Sequence, residues 1–312
     1  MKKPTKEKTI VLHRAHCTLL ASLVAIASGA AVADIPPIER TTLLALYAAT
    51  DGANWYHNDG WNSAAAGTEC SWYGVTCAGS GTNVTFLQMS NNNLSGVLPS
   101  LDGLTQLGGF NAANSHLSGS LPALDHLSKL EIFDVNRNQL TGSIPSLAGL
   151  SLLYDFEVWN NQLSGSIPPL DSLTSLGSFY AFNNQLSGPI PALAGLVSLS
   201  EFHVYKNHLT GTIPSLTGLA ALNEFEVQDN QLTGPIPDLA GVPLTVFRVG
   251  GNGLDGNLPS APAGLQPGAS SLCVNAFPSA SYVDDAGWDA ATGTVPWYSP
   301  CNAVYANGFE AP

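Results

Sequence analysis

Residues 153–176 read LYDFEVWNNQLSGSIPPLDSLTSL. In an extended segment alternate side chains share a face, so Phe156 and Val158 point one way while Glu157 and Trp159 point the other. The same skeleton begins at Val84, Leu107, Leu130, Leu176, Leu199 and Leu222, at a period of 23 residues, and again at Leu244, one residue early. A fixed period of this length is typical of a solenoid, in which each coil contacts only its neighbours.

In each copy a polar residue lies three positions after the last inward residue, as Asn161 does after Val158. Together these polar residues form a column along the coils. Seven of its members are asparagines, Asn92, Asn138, Asn161, Asn184, Asn207, Asn230 and Asn252, and the eighth is Ser115. An asparagine amide is both donor and acceptor, so it can bond backbone groups of adjoining coils at a sharp turn. We therefore expect a structural asparagine ladder that Ser115 weakens locally.

With the glycine and proline that follow each asparagine, the copies resemble plant-type leucine-rich repeats, LxxLxLxxNxLxGxIP. Inhibitors of polygalacturonases and receptor ectodomains belong to this group. The resemblance implies an α/β solenoid, a right-handed coil with a parallel β-sheet on its concave face. About eight repeats of 23 residues would occupy residues 84–260, with disulfide-bonded caps at both ends.

Residues 34–83 precede the repeats and are predicted to cap them. A helical apolar face around Leu43 and Tyr47 is followed by Trp55, Trp61 and Trp72, which we expect to cover the open end of the core. The blocks in this segment, including the one from Cys70 to Cys77, resemble the N-terminal cap of secreted leucine-rich-repeat proteins.

Cysteines flank the repeats in two local pairs. An even number in an exported chain argues for disulfides, and since the repeats separate the ends we pair Cys70 with Cys77 and Cys273 with Cys301. The second pair defines a C-terminal cap at residues 261–301, followed by a flexible tail at residues 302–312.

Residues 1–33 combine a basic start, an apolar run and an Ala-Val-Ala site, which is typical of a secretory signal peptide. We predict a secreted, extracellular protein, or a periplasmic or cell-surface one in a bacterium, without membrane insertion after cleavage. Cleavage leaves five basic and 22 acidic residues, a net charge of −17. Such a charge with scattered Lys and Arg excludes nucleic acid as a partner.

Outward residues of adjacent strands should form columns, because strands lie about 4.8 Å apart. One column holds Gln88, Asn111, Asp134, Glu157, Tyr180, His203, Glu226 and Arg248; the next holds Ser90, Ala113, Asn136, Trp159, Phe182, Tyr205, Gln228 and Gly250. From these we predict a concave-face binding site made of Tyr154, Glu157, Trp159, Tyr180, Phe182, His203, Tyr205 and Glu226.

Clustered exposed aromatics indicate binding of a protein or peptide, and acids around them favour a basic or neutral partner. Glycan binding or wall attachment through the same rings is the alternative. An ice-binding or surface-active role for the Ser and Thr columns is a third. We expect a monomer.

Asp134 and Glu157 lie on adjacent coils at the separation that a retaining glycosidase requires. Any two acids in adjacent coils would do so, and the sequence predicts neither a water-excluding pocket nor a raised carboxyl pKa there. No catalytic motif is present, and His116, His203 and His208 fall on different coils without a companion cysteine. We therefore predict a non-catalytic protein with no cofactor and no metal.

Overall fold

The computed structural model describes residues 34–79, 81–277 and 285–298. Predictions that concern the signal peptide at residues 1–33, Cys301 and the tail at residues 302–312 lie outside these residues. Helix α1 (Pro37–Ala49) and two short 3-10 turns (Gly52–Asn54 and Glu69–Ser71) precede the repeats, and helix α2 (Ala286–Thr292) follows them.

One nine-stranded sheet runs through the repeats. Strand β1 (Val75–Cys77) pairs antiparallel with β2 (Val84–Gln88). The remaining strands, numbered in chain order, are all parallel: β4 (Gly109–Asn111), β6 (Ile132–Asp134), β8 (Asp155–Glu157), β10 (Ser178–Tyr180), β12 (Glu201–His203), β14 (Glu224–Glu226) and β16 (Val246–Arg248). Eight parallel strands joined by seven coils confirm the predicted leucine-rich-repeat solenoid, whose concave face is the outward side of this sheet.

A second set of short strands follows the asparagine turns. It comprises β3 (Ser95–Val97), β5 (His116–Ser120) and β7 (Gln139–Thr141); β9 (Ser164–Gly165), β11 (Gln185–Pro189) and β13 (His208–Thr210); and β15 (Thr233–Gly234) with β17 (Gly253–Leu254). From the sequence we expected only a bend here. Strands form because the coils stack in register, so that backbone groups of one coil meet those of the next.

Phenylalanines fill the core directly beneath the sheet. Phe110, Phe133, Phe156, Phe179, Phe202, Phe225 and Phe247 are fully buried. Neighbouring rings lie nearly parallel, with centroids 5.4–5.9 Å apart. The last ring contacts Trp288 of α2 at 6.0 Å, so the C-terminal helix closes the column.

Six asparagines of the ladder make the same set of hydrogen bonds. Asn138 accepts the N–H of Leu117 at 2.9 Å and donates to the carbonyls of Ala112 and Val135, both at 3.0 Å. Asn161, Asn184, Asn207, Asn230 and Asn252 repeat this pattern in the coils that follow. Asn92 instead bonds His57 of the N-terminal cap. The hydroxyl of Ser115 is buried without a hydrogen-bond partner among the described residues.

The N-terminal cap is packed as expected. Trp61 and Trp72 are 0% and 2% exposed, and their rings lie 5.2 Å apart. Glu39 is buried and joins α1 to the first repeat by accepting from Asn83 at 2.8 Å and from the N–H of Val84 at 2.7 Å. The predicted Cys70–Cys77 disulfide is present.

The C-terminal cap contains the start of a further coil. Asn275 accepts the N–H of Leu254 at 3.0 Å and donates to the carbonyl of Val249 at 3.0 Å, as the ladder asparagines do. Ser271 extends the sheet by a bridge to Arg248. The ladder therefore passes the boundary that we predicted at residue 260. Because Cys301 lies outside the described residues, the pairing of Cys273 with Cys301 stays a prediction.

Candidate binding site on the concave face

Strand register produces the predicted columns. Asp134 faces Glu157, Glu157 faces Tyr180, and Tyr180 faces His203 across adjacent strands. A further outward column, which we did not extract from the sequence, lies two residues before these: Phe86, Gly109, Ile132, Asp155, Ser178, Glu201, Glu224 and Val246. The concave face thus presents three columns at the repeats.

Three rings from successive coils form the aromatic stack of Trp159, Phe182 and Tyr205. The centroids of Trp159 and Phe182 are 4.9 Å apart with 14° between the planes. Those of Phe182 and Tyr205 are 4.4 Å apart with 9° between the planes. The guanidinium of Arg137 lies 4.8 Å from the Trp159 ring, so a cation covers the end of the stack.

Stacking decides which parts of the rings face solvent. Both faces of Phe182 and one face of Trp159 are covered by neighbouring rings, and Trp159 is only 9% exposed. The stack therefore forms an apolar ridge in which Trp159, predicted to be exposed, is largely buried, and the half-buried Phe182 and Tyr205 are the more exposed members.

Asp134, Asp155 and Glu157 form an acid cluster beside this ridge. The amide of Asn136 donates to Asp134 Oδ1 at 2.6 Å and to Glu157 Oε2 at 3.0 Å. The indole of Trp159 also donates to Glu157 Oε2, at 2.9 Å. The acid cluster and the aromatic stack are therefore joined by hydrogen bonds.

Burial raises the pKa of every member of the acid cluster. The pKa of Asp134 rises to about 7, first through burial and then through the charge of Glu157. The pKa of Asp155 rises to about 8 through burial and the charges of Glu157, Asp134 and Glu201. Burial also raises the pKa of Glu157, which hydrogen bonds from Trp159 and Asn136 partly oppose. The sequence had given no indication of these raised carboxyl pKa values.

Tyr180 and His203 form a second aromatic pair, with ring centroids 4.8 Å apart. The Tyr180 hydroxyl donates to Glu201, and burial followed by this hydrogen bond raises the pKa of Tyr180 above its ordinary value. Burial raises the pKa of Tyr205 to about 12, with the charge of Glu226 adding to it. Both phenols are therefore neutral donors at neutral pH.

Two of the predicted site residues lie elsewhere or are already engaged. Tyr154 is 55% exposed and its ring packs over Gly177, beside the stack and not within it. Glu226 is only 6% exposed and binds Arg248 at 2.8 Å and Gln228 at 3.1 Å. Glu226 therefore organises the edge of the site, because its carboxylate is enclosed by these partners.

Sequence reasoning missed four contributors to this surface. Arg137 was counted only among the scattered basic residues. It directly precedes Asn138, its backbone N–H donates to the Trp159 carbonyl at 2.9 Å, and its guanidinium lies over the Trp159 ring. Asp155, Glu201 and Glu224 were described as flanking acids. Each of these acids lies two residues before a member of the predicted first column. Because alternate residues of a strand share a face, this spacing could have placed them on the concave face.

Three buried polar atoms on this face have no hydrogen-bond partner within the part of the chain that the structure describes: Asp155 Oδ1, His203 Nε2 and Gln228 Oε1. Glu201, His203 and Glu224 also bring one ligand atom each to within 4.8 Å of one another. The sequence had predicted no metal ligands because the histidines lie on different coils. The groups beside His203 are the carboxylates of Glu201, on the same strand, and of Glu224, on the next strand.

A cavity of about 560 Å³ lies away from this surface, lined by residues between Ile236 and Ala263. In the described parts of the chain, no helix has both the length and the apolar character needed to cross a membrane.

Comparison with known proteins shows two family matches. The leucine rich repeat N-terminal domain matches residues 37–78, and the leucine rich repeat matches residues 83–104. Comparison with curated protein sequences finds no match.

Solved structures with the same fold include leucine-rich-repeat ectodomains. The structure of PEPR1–AtPEP1 is 28% identical with a TM-score of 0.67, over 77% of this chain and 35% of that chain. The ectodomain of the GASSHO1/SCHENGEN3 receptor kinase from Arabidopsis thaliana, in complex with CASPARIAN STRIP INTEGRITY FACTOR 2, is 28% identical with a TM-score of 0.60, over 77% and 33%. The ectodomain of the Arabidopsis receptor kinase HAESA, in complex with an IDA peptide hormone ligand, is 27% identical with a TM-score of 0.52, over 77% and 49%.

This chain therefore spans between a third and a half of the length of those proteins. The match at the cap, the repeat match that adjoins it and the register of the coils agree with one another. The family matches cover the N-terminal cap and the first repeat, and the coils that follow share the leucine-rich-repeat fold of these solved structures.

Proposed function

We propose that this protein is a secreted, non-catalytic recognition protein that binds a peptide or a peptide segment of a protein on its concave face. The observation that carries the proposal is the aromatic stack of Trp159, Phe182 and Tyr205 lying next to the acid cluster. An apolar ridge flanked by hydrogen-bonding groups can hold an extended chain, because side chains pack on the ridge while backbone groups bond beside it.

Ring orientation favours a peptide over a glycan. Sugar C–H groups pack against the electron-rich faces of aromatic rings. The stack covers both faces of Phe182 and the inner faces of Trp159 and Tyr205, and Arg137 covers the outer face of Trp159. Ring edges, in contrast, suit the apolar side chains of a peptide.

Charge favours a neutral or basic partner. Glu201 and Glu224 face each other on adjacent strands, and the acid cluster beside them gains negative charge as the pH rises through its raised pKa values. Residues 34–312 carry a net charge of −17, so an acidic partner would be repelled.

The solved ectodomains support a peptide as the partner class. The HAESA structure contains a peptide hormone on a solenoid that shares this fold. Export fits the Cys70–Cys77 disulfide, because such bonds persist in oxidising compartments.

We assign no catalysis to the acid cluster. Acid–base chemistry with two carboxyls needs environments that push their pKa values apart. Here burial raises the pKa of all three, and Asn136 and Trp159 occupy oxygens that a substrate would have to reach.

The test is a binding screen of the purified protein against a display library of random peptides and against a glycan array. The Trp159→Ala/Tyr205→Ala double variant removes both ends of the stack. A matched control removes two exposed apolar side chains elsewhere, Val197→Ala with Leu152→Ala, which are 57% and 42% exposed. We expect enrichment of peptides with apolar and basic residues and at least a tenfold weaker affinity in the stack variant only. Glycan signals that depend on the stack without peptide enrichment would overturn the proposal, and so would equal peptide binding by both variants.

A further inference from the structure

We propose that Glu201, His203 and Glu224 form a binding site for a divalent transition-metal ion, for which Zn²⁺ is the probe. Glu201 and His203 lie two residues apart on β12, so their side chains share the concave face. Glu224 on β14 is the register partner of Glu201. One ligand atom from each of the three lies within 4.8 Å of the others.

Spacing between the ligand atoms is close to that of a metal site. The distance from His203 Nε2 to Glu224 Oε2 is 3.4 Å. Ligands about 2.0–2.2 Å from a tetrahedral Zn²⁺ lie roughly 3.3–3.6 Å apart. This pair is therefore already at ligand spacing, and the Glu201 carboxylate needs only a rotation of its flexible side chain to join it.

The imidazole itself points to a ligand. His203 Nε2 is buried and makes no hydrogen bond within residues 34–79, 81–277 and 285–298, and its contact with Glu224 Oε2 at 3.4 Å is an ion pair only when the imidazole is protonated. Burying a polar atom without a hydrogen bond is unfavourable, and a metal ion would use the lone pair of this ring nitrogen. The side chain of Glu224, which is 26% exposed, borders this nitrogen and gives an ion access from solvent by rotating.

Donor chemistry selects the class of ion. Ca²⁺ and Mg²⁺ prefer oxygen ligands alone, whereas imidazole suits Zn²⁺ and its first-row neighbours. Three protein ligands leave a fourth position open to water or to an external donor. The Tyr180 hydroxyl donates to Glu201. Tyr180 is not itself a ligand in this site, but its hydrogen bond orients the Glu201 carboxylate.

This site would exist whether or not the protein binds a peptide, so its test uses the metal alone. The full chain is stripped of metal with a chelator and titrated with Zn²⁺ by calorimetry, and Co²⁺ is added separately to record its visible ligand-field absorption. The variants are His203→Ala, Glu224→Gln and Tyr180→Phe. His208→Ala is the matched control because His208 is exposed on β13, outside the concave sheet.

We expect one Zn²⁺ equivalent that depends on this site. Both His203→Ala and Glu224→Gln should weaken binding by at least tenfold and remove the Co²⁺ absorption, Tyr180→Phe should weaken it less, and His208→Ala should match the wild type. Glu224→Gln preserves side-chain shape, so it tests the site even if His203→Ala fails to fold. Absence of Zn²⁺ binding by the wild type, or affinity in Glu224→Gln equal to that of His208→Ala, would overturn the proposal.

Discussion

The indole ring of Trp159 lies face to face with the phenyl ring of Phe182, with centroids 4.9 Å apart. Phe182 in turn stacks on Tyr205, so replacing it removes two ring pairs. Each such pair contributes about 0.5–1.5 kcal/mol beyond burial. We expect Phe182→Ala to lower the free energy of unfolding by about 1–3 kcal/mol in urea denaturation and to weaken peptide binding at least tenfold. Phe182→Tyr, which keeps the ring, should differ little from the wild type. Equal losses in both variants would show that stacking is not the cause.

Ser115 occupies the one ladder position without asparagine, and its buried hydroxyl has no partner among the described side chains and backbone groups. Ser115→Asn should let the new amide bond the neighbouring coils as Asn138 does, and we expect a gain of about 1 kcal/mol.

The reverse change tests the same geometry. Asn138→Ser removes a carboxamide that bonds Leu117, Ala112 and Val135, and should cost about 2–4 kcal/mol because buried backbone groups are left unpaired. Thermal and urea unfolding of both variants provide the measurement. A destabilising Ser115→Asn would mean that the first repeats cannot accommodate the longer side chain.

These ladder bonds were predictable because a strict period places identical residues in identical surroundings. The same reasoning gave the concave columns, since a shift of one residue would turn the apolar set outward. The period gave no sign of the constraint at Gly250, the last member of the second outward column. A Cβ there would lie 1.9 Å from the Cys273 carbonyl oxygen, so the C-terminal cap excludes any side chain.

The repeat period alone does not predict properties that depend on contacts between coils. Glu226 is enclosed because Arg248, from the next coil, reaches over it. Arg137 covers Trp159 although it belongs to neither outward column. The pKa of Asp155 depends on burial and on acids from three coils, none of which a single repeat reveals.

The acid cluster should make stability depend on pH. An acid whose pKa is raised on folding holds more protons in the folded than in the unfolded chain between its unfolded value, about 4, and its folded value. For Asp134 and Asp155 the folded pKa values are about 7 and about 8. Their contribution to the free energy of unfolding is therefore most favourable at about pH 4, and it is lost as the pH rises to about 8.

Asp155→Asn keeps the shape of the side chain and removes its ionisation. We expect its Tm to exceed that of the wild type by several degrees at pH 8, and the difference to shrink as the pH falls towards 5. Asp171→Asn, an exposed control, should follow the wild-type profile. A constant Tm difference between Asp155→Asn and the wild type across this range would contradict the assignment.

The Cys70–Cys77 disulfide closes a short loop in the N-terminal cap. Chain-entropy arguments give about 2.5 kcal/mol for a loop of this length, since cross-linking restricts the unfolded chain. The Cys70→Ser/Cys77→Ser double variant should lose roughly that amount, and the loss should concentrate in the cap because a solenoid transmits contacts only between neighbouring coils. Hydrogen exchange would then show faster exchange of the Val75 and Val84 amides, and unchanged protection at Phe202. Uniformly faster exchange through Phe202 would show instead that the cap and the repeats unfold as one cooperative unit.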